Sequence, residues 1–228
     1  MTIKACVFDA YGTLFDVAAA AREAAAEPGR ERFAKVWQKV ANDWRLKQLQ
    51  YTWLRAVAGA HTDFWDVTRN GLDWALEASD LNDRDLRERL LALYWELAAY
   101  PEVPKMLADL KAGGYQTAIL SNGSPEMLAG AVTSAGIGEY LDDVLSVEDV
   151  GVFKPHSSVY QMVPDRFECA VDEILFVSSN GWDAAFAVGF GFRCVWANRS
   201  GEPIDRLPWT PDEILADLKT LPNLAKQF

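Results

Sequence analysis

Residues 174–196 read ILFVSSNGWDAAFAVGFGFRCVW. An apolar run, Ile174–Ser178, breaks at the small polar turn Ser179-Asn180-Gly181. Helical spacing follows over Trp182–Val188, and a second apolar run occupies Arg193–Trp196. A strand too apolar to alternate is one buried on both faces, and strand, turn, helix and strand in succession make a parallel crossover unit. The same grammar extends outward. Upstream, Lys4–Phe8 is a short apolar strand stopped by Asp9-Ala10-Tyr11-Gly12. After Pro104 the pattern predicts a helix over Lys105–Ala112, a strand over Tyr115–Leu120 and a helix over Pro125–Ala135. A short strand over Val144–Val147 and a helix over His156–Arg166 complete it. This alternation predicts an α/β fold, a Rossmann-like parallel sheet with helices on both faces.

Between the first strand and Pro104 the texture changes. From about Val17 to Ala98 glycine is scarce, and apolar residues recur at helical spacing: Trp37, Val40, Ala41 and Trp44, then Leu86, Leu90, Leu93 and Leu97. Pro28-Gly29, His61-Thr62-Asp63 and Ser79-Asp80 break the segment, with Asn82 a candidate N-cap. Some four helices forming an all-helical insert are expected, with Tyr100–Pro104 as the linker back to the sheet.

The chain has 228 residues, half of them hydrophobic, with 22 Lys and Arg against 33 Asp and Glu and a net charge of −11. That length fits one large domain or one domain carrying an insert. The acidic surface argues against nucleic acid and anionic membranes as partners, which require a basic footprint. An anionic substrate would have to meet a locally basic pocket. Cys6, Cys169 and Cys194 lack metal-ligand spacing and read as reduced core thiols. The N-terminus runs directly into the first strand without a signal-peptide pattern, and no apolar run reaches the ~18 residues of a membrane helix. A soluble, cytoplasmic protein is expected. His61 and His156 are isolated and read as structural or surface residues, so histidine acid–base chemistry is not expected.

In parallel sheets ligands sit beyond the carboxyl ends of the strands. Four polar clusters fall there: Asp9 to Thr13, Ser121-Asn122, Lys154, and Ser178 to Asp183. A carboxylate at the end of a rigid buried strand can attack carbon and form an ester; alternatively Asp9 caps a turn. Lys154 would hold Asp9 ionised, or is a surface lysine before a proline. Ser121 offers a hydroxyl suited to a substrate carboxylate, or caps the helix that begins near Pro125.

The stretches FDAYGTLFD at 8–16, LSNGSP at 120–125, VFKP at 152–155 and FVSSNGWDA at 176–184 resemble, in order, the haloacid dehalogenase superfamily. WRLKQLQYTWLR at 44–55 resembles the cap helix of the L-2-haloacid dehalogenases. The resemblance implies a catalytic core of residues 1–15 and 99–228 and a helical cap of residues 16–98. It implies hydrolysis of short L-2-haloalkanoic acids to D-2-hydroxy acids, with Asp9 as nucleophile and inversion at C2.

The resemblance also assigns the site. Arg45 and Asn122 would receive the departing halide, Ser121 would bind the substrate carboxylate, and Thr13 and Tyr160 would support the site. Tyr11, Leu49, Phe64 and Trp182 would form an apolar wall. Ser178, Asn180 and Asp183 form the last cluster, with Asp183 activating water or simply pairing with Lys154. Superfamily phosphatases carry a second Asp where this chain has Tyr11, and paired acids for Mg²⁺ where it has Ser178, Ser179 and Asn180. Chemistry without a metal or other cofactor is therefore expected. The partners would be a small anionic haloacid, water and the halide product, and relatives of this kind are often homodimers. The competing readings are a Mg²⁺-dependent phosphatase, a non-catalytic binding protein on this fold, and another hydrolase of small carboxylates.

Overall fold

The computed structural model describes residues 2–228. Six strands form one parallel sheet: β1 (Ala5–Phe8), β2 (Gln116–Ser121), β3 (Asp143–Ser146), β4 (Ile174–Ser178), β5 (Arg193–Ala197) and β6 (Glu213–Leu215). They lie in the order β3-β2-β1-β4-β5-β6. The strand order reverses beside β1, and right-handed crossovers then place the connecting helices on opposite faces. These are α6 (Val103–Ala112) and α7 (Pro125–Ala135), against α8 (Ser157–Phe167) and α9 (Gly181–Phe190). β1 and β4 are buried along their whole length, as their unalternating apolar sequences require. β6 was not anticipated, because Glu213-Ile214-Leu215 is short and mostly exposed.

Residues 19–95 hold five helices: α1 (Ala19–Ala26), α2 (Glu31–Ala34), α3 (Trp37–Ala58), α4 (Phe64–Glu77) and α5 (Arg84–Trp95). The expected breaks fall where Pro28-Gly29, His61–Asp63 and Ser79-Asp80 placed them. The cap of α5, however, is Asp83 rather than Asn82: its carboxylate accepts from the Leu86 amide at 2.9 Å, which the longer-range charge at a helix N-terminus favours. The linker is also shorter than expected. Val103 and Pro104 already belong to α6, where proline in the first turn costs no hydrogen bond. Cys6 and Cys194 are buried, but Cys169 is only half-buried and not a core thiol.

Two short crossings join the helical segment to the sheet. Phe15 bridges Ala99 in antiparallel fashion. Asp16 N–H donates to Ala98 C=O at 3.1 Å, and Tyr100 N–H to Leu14 C=O at 2.9 Å. A last short helix, α10 (Leu221–Leu224), packs on α6. No helix among the described residues is long and apolar enough to cross a membrane.

Candidate active site

Asp9 is the first residue beyond β1, and its amide donates to Val177 C=O of β4 at 2.9 Å. The chain then turns tightly. Gly12 has φ +90°, and a Cβ there would stand 2.9 Å from Ser179 Oγ, so only glycine fits. The turn returns Thr13 beneath Asp9. Its hydroxyl donates to Asp9 Oδ2 at 3.0 Å and accepts from Ser179 N–H at 2.7 Å. Asn180 Nδ2 donates to the same Asp9 oxygen at 3.2 Å.

Lys154 follows β3 and a 3-10 turn. Its backbone is held by Asn122, whose Oδ1 accepts from the Lys154 amide at 3.0 Å. The ammonium lies 3.3 Å from Asp9 Oδ1 and 3.0 Å from Asp183 Oδ2. Lys154 is 1% exposed and Asp183 fully buried. Burial alone would push the Lys154 ammonium toward neutrality, but the Asp183 and Asp9 carboxylates more than offset this and hold its pKa above the usual lysine value. Burial raises the Asp183 carboxyl, against the pull of Lys154 and of the Tyr160 hydroxyl, which donates to Oδ1 at 2.7 Å. Lys154 is therefore the counter-ion of both acids.

A second cation arrives from the helical segment. Arg45 of α3 donates through Nη2 to Tyr11 C=O at 3.0 Å and to Asn180 Oδ1 at 3.1 Å. The acidic chain thus concentrates two positive groups at one place, as an anionic ligand requires. Ser121, buried at the end of β2, accepts from Gly123 N–H at 3.0 Å. It does not cap α7, whose N-cap is Ser124. Ser178 likewise shapes its own turn, accepting from Asn180 N–H at 3.1 Å.

The four aromatic and apolar candidates fall into two groups. Leu49 and Trp182 line a cavity of about 450 Å³ with Arg45, Asn180 and Arg199. Tyr11 and Phe64 belong to a buried ring cluster beside it, with centroids 6.0 Å apart. Burial raises the Tyr11 hydroxyl well above its usual pKa, so it is a poor proton donor. Among the described residues no group of three or more His, Cys, Asp and Glu side chains is disposed to hold a metal ion.

Several participants escaped the sequence. Tyr94 stacks on Tyr11 at 5.6 Å and accepts from Gln48 Nε2 at 3.2 Å. It falls on the buried stripe of α5, four residues after Leu90, and that spacing was the available clue. Ser146 at the end of β3 donates to Gly123 C=O at 2.7 Å and pins the Ser121 loop. His61 and Glu148 meet at 3.0 Å across the seam between helical segment and sheet, a pairing that no local pattern encodes.

The sequence model of the haloacid dehalogenase-like hydrolases matches residues 3–191. The chain belongs to this family. It is similar to (S)-2-haloacid dehalogenase 1 of Pseudomonas sp. (strain CBS-3), 43% identical over 97% of this chain and 96% of that protein. It is 42% identical to (S)-2-haloacid dehalogenase 4A of Burkholderia cepacia, over 89% of this chain and 86% of the relative. Among solved structures it resembles L-2-haloacid dehalogenase from Xanthobacter autotrophicus with chloropropionic acid covalently bound. That match has a TM-score of 0.84 and 35% identity, and covers 98% of each chain. In this haloacid dehalogenase-like hydrolase, then, the Asp9–Lys154–Asp183 constellation lies in a framework shared with haloacid dehalogenases along nearly its full length.

Proposed function

We propose that this hydrolase dehalogenates short L-2-haloalkanoic acids to D-2-hydroxy acids through an ester on Asp9. The observation that carries the reading is the unequal loading of the Asp9 oxygens. Among the described residues Oδ2 accepts from both Thr13 and Asn180, while Oδ1 accepts only from Lys154, which leaves Oδ1 a free lone pair. Oδ1 attacks C2 in line and the halide departs with the bonding electrons, inverting C2. A halide needs no proton on leaving, only donors where its charge develops. Arg45, reaching over Asn180, supplies them together with Asn122.

Hydrolysis of the ester returns Asp9. Water attacks the Asp9 acyl carbon and gives up a proton toward Asp183, while Lys154 stabilises the developing oxyanion. The bond from the acyl carbon to the ester oxygen then breaks, and the departing 2-alkoxide takes the proton from Asp183 and leaves as the hydroxy acid. Residues 16–98 serve as the cap that carries Arg45, Leu49 and Phe64 over the core of residues 1–15 and 99–228. Ser121 receives the substrate carboxylate, and Tyr160, Ser178 and Trp182 shape the surroundings. The reaction uses no metal. The strand ends offer Tyr11, Ser178, Ser179 and Asn180 where a hard divalent cation would want carboxylates, and Tyr11 is unsuited to protonate a phosphate ester's leaving group. Leu46, Leu54 and Val57 are exposed along α3, which supports a homodimer through the cap; light scattering tests it.

The deciding experiment is halide release from L- and D-2-chloropropionate, with and without EDTA, beside an aryl phosphate. Halide from the L form alone, indifferent to EDTA, is expected. Mg²⁺-dependent phosphate release without halide would replace this reading with the phosphatase one. In ¹⁸O-water under single turnover the label is expected in Asp9, not in the first product formed, and Asp9→Asn is expected to be inactive.

A further inference from the structure

Arg199 lies two residues beyond β5, outside every motif that marked the site. It is half-buried at 15% side-chain exposure, and three contacts fix it. Nη1 pairs with Glu102 Oε1 at 2.6 Å, and Nη2 donates to Thr13 C=O at 2.9 Å. The Arg199 Cζ lies over the Tyr100 ring, 3.7 Å from the centroid. These partners are not scattered. Thr13 belongs to the outgoing crossing between core and cap, Tyr100 to the returning one, and Glu102 to the start of α6.

We infer that Arg199 is a positioning residue that holds the Asp9 turn against the cap hinge, so that Thr13 aims the nucleophilic carboxylate. The chain of contacts is short and continuous: Arg199 to Thr13 C=O, the Thr13 hydroxyl to Asp9 Oδ2 at 3.0 Å, and Tyr100 N–H to Leu14 C=O at 2.9 Å. Arginine alone suits this place. Its planar fork satisfies two acceptors while stacking on a ring, and lysine offers only a point charge. Arg199 also lines the cavity that holds Arg45 and Asn180. Its side chain nonetheless spends its charge on Glu102 and reaches the reaction only through Thr13. Loss of the clamp lets the Asp9 carboxylate rotate, while Ser121 and Asn122 stay in place and Arg45 keeps its bond to Asn180 outside the turn. The cost therefore falls on kcat rather than KM.

This inference rests on Asp9 as nucleophile, and its test separates the two. Arg199→Met, Arg199→Lys and Glu102→Gln are compared with the parent in kcat and KM for L-2-chloropropionate, with folding checked by circular dichroism. Hydrogen exchange of the peptides spanning 9–18 and 97–104 is measured alongside. Arg199→Met is expected to lose about tenfold or more in kcat, with KM within about threefold, as small misplacements of a reacting group do. Arg199→Lys should recover part of that loss. Glu102→Gln, which keeps the donation to Thr13, should lose less than Arg199→Met. Faster exchange in both peptides should accompany the loss. A kcat for Arg199→Met within about twofold of the parent overturns the inference. So does a loss in Glu102→Gln equal to that in Arg199→Met. If the parent releases no halide, the proposed activity fails by itself, and the exchange data still decide the clamp: unchanged protection of 9–18 in Arg199→Met refutes it.

Discussion

The Tyr160 hydroxyl donates to Asp183 Oδ1 at 2.7 Å inside a fully buried pocket. α8 supplies the donor and α9 the acceptor, so the bond ties together two helices on the same face of the sheet as well as tuning a carboxyl. Burial raises the Asp183 pKa, and this hydrogen bond opposes the rise. Tyr160→Phe therefore raises it further. The acid limb of the activity profile is expected to move to higher pH, and stability to fall by about 1–3 kcal/mol, the cost of an abandoned buried acceptor. A pH–rate profile and a urea melt check both. An unmoved acid limb would mean that Asp183 does not titrate in the rate-limiting step.

Among the described residues Lys154 is the single cation within hydrogen-bond reach of both Asp9 and Asp183. Lys154→Met leaves two buried carboxylates facing each other without a counter-ion. The expected loss is about 3–5 kcal/mol at neutral pH, together with all turnover. Asp183, whose carboxyl burial already raises, then loses the cation that opposes the rise and is raised further above its unfolded value. By linkage the variant's stability increases as the pH falls through that raised value, more strongly than in the parent, where Lys154 opposes the rise. Thermal melts from pH 8 to pH 4 test it: a deficit that does not shrink toward acid would show that the lysine acts through packing alone.

The site could be read from the sequence to the extent that it is made of strand ends. Asp9, Ser121 and Ser178 each follow an apolar run, and a parallel sheet necessarily brings such positions to one edge. Arg45 was reachable only through the likeness of residues 44–55 to a known cap helix, since helical periodicity says which face is buried but not what that face covers. Tyr94, Ser146 and Arg199 were out of reach because their roles depend on partners tens of residues away. Tyr94 looks like any core residue of α5 until Tyr11 is found 5.6 Å from it. The cap expected at Asn82 forms at Asp83 because two adjacent residues of capping type differ in backbone register, which the sequence does not specify.

Glu102 gives a pH dependence of opposite sign. Burial would raise its carboxyl, yet Arg199, its own backbone amide and the Leu218 amide hold it below the usual glutamate value. A depressed carboxyl stabilises the fold above its unfolded pKa, and the contribution disappears as the pH falls through the folded one. Glu102→Gln should be destabilised by about 2 kcal/mol at pH 7, typical of a hydrogen bond to a charged group. The gap to the parent should close in the acid range below the ordinary glutamate pKa. Paired melts at pH 7 and pH 3 measure it; a gap of constant size would assign the effect to packing instead.

Gly123 offers a test of how tightly the two halves of the site are fitted. A Cβ there would lie 2.7 Å from Tyr11 Cε2 and 3.1 Å from Leu128 Cδ2. The Tyr11 ring cannot yield easily, because Tyr94 stacks on it at 5.6 Å and Phe64 stands 6.0 Å away. Gly123→Ala should therefore cost about 1–3 kcal/mol, as overpacking does. Any shift of Tyr11 also moves the carbonyl that receives Arg45, so kcat should fall with stability. Tyr11→Leu removes the clashing ring edge. In the double variant the Gly123→Ala penalty should drop by about 1 kcal/mol or more, a coupling expected of residues in contact. Gly138→Ala, where the added Cβ meets only Val132 at 3.4 Å, is the matched control for packing and should leave turnover unchanged. Additive penalties in the Tyr11–Gly123 cycle would mean that the loop after β2 moves as a body, and that the close approach of Gly123 to Tyr11 does not set the position of the ring.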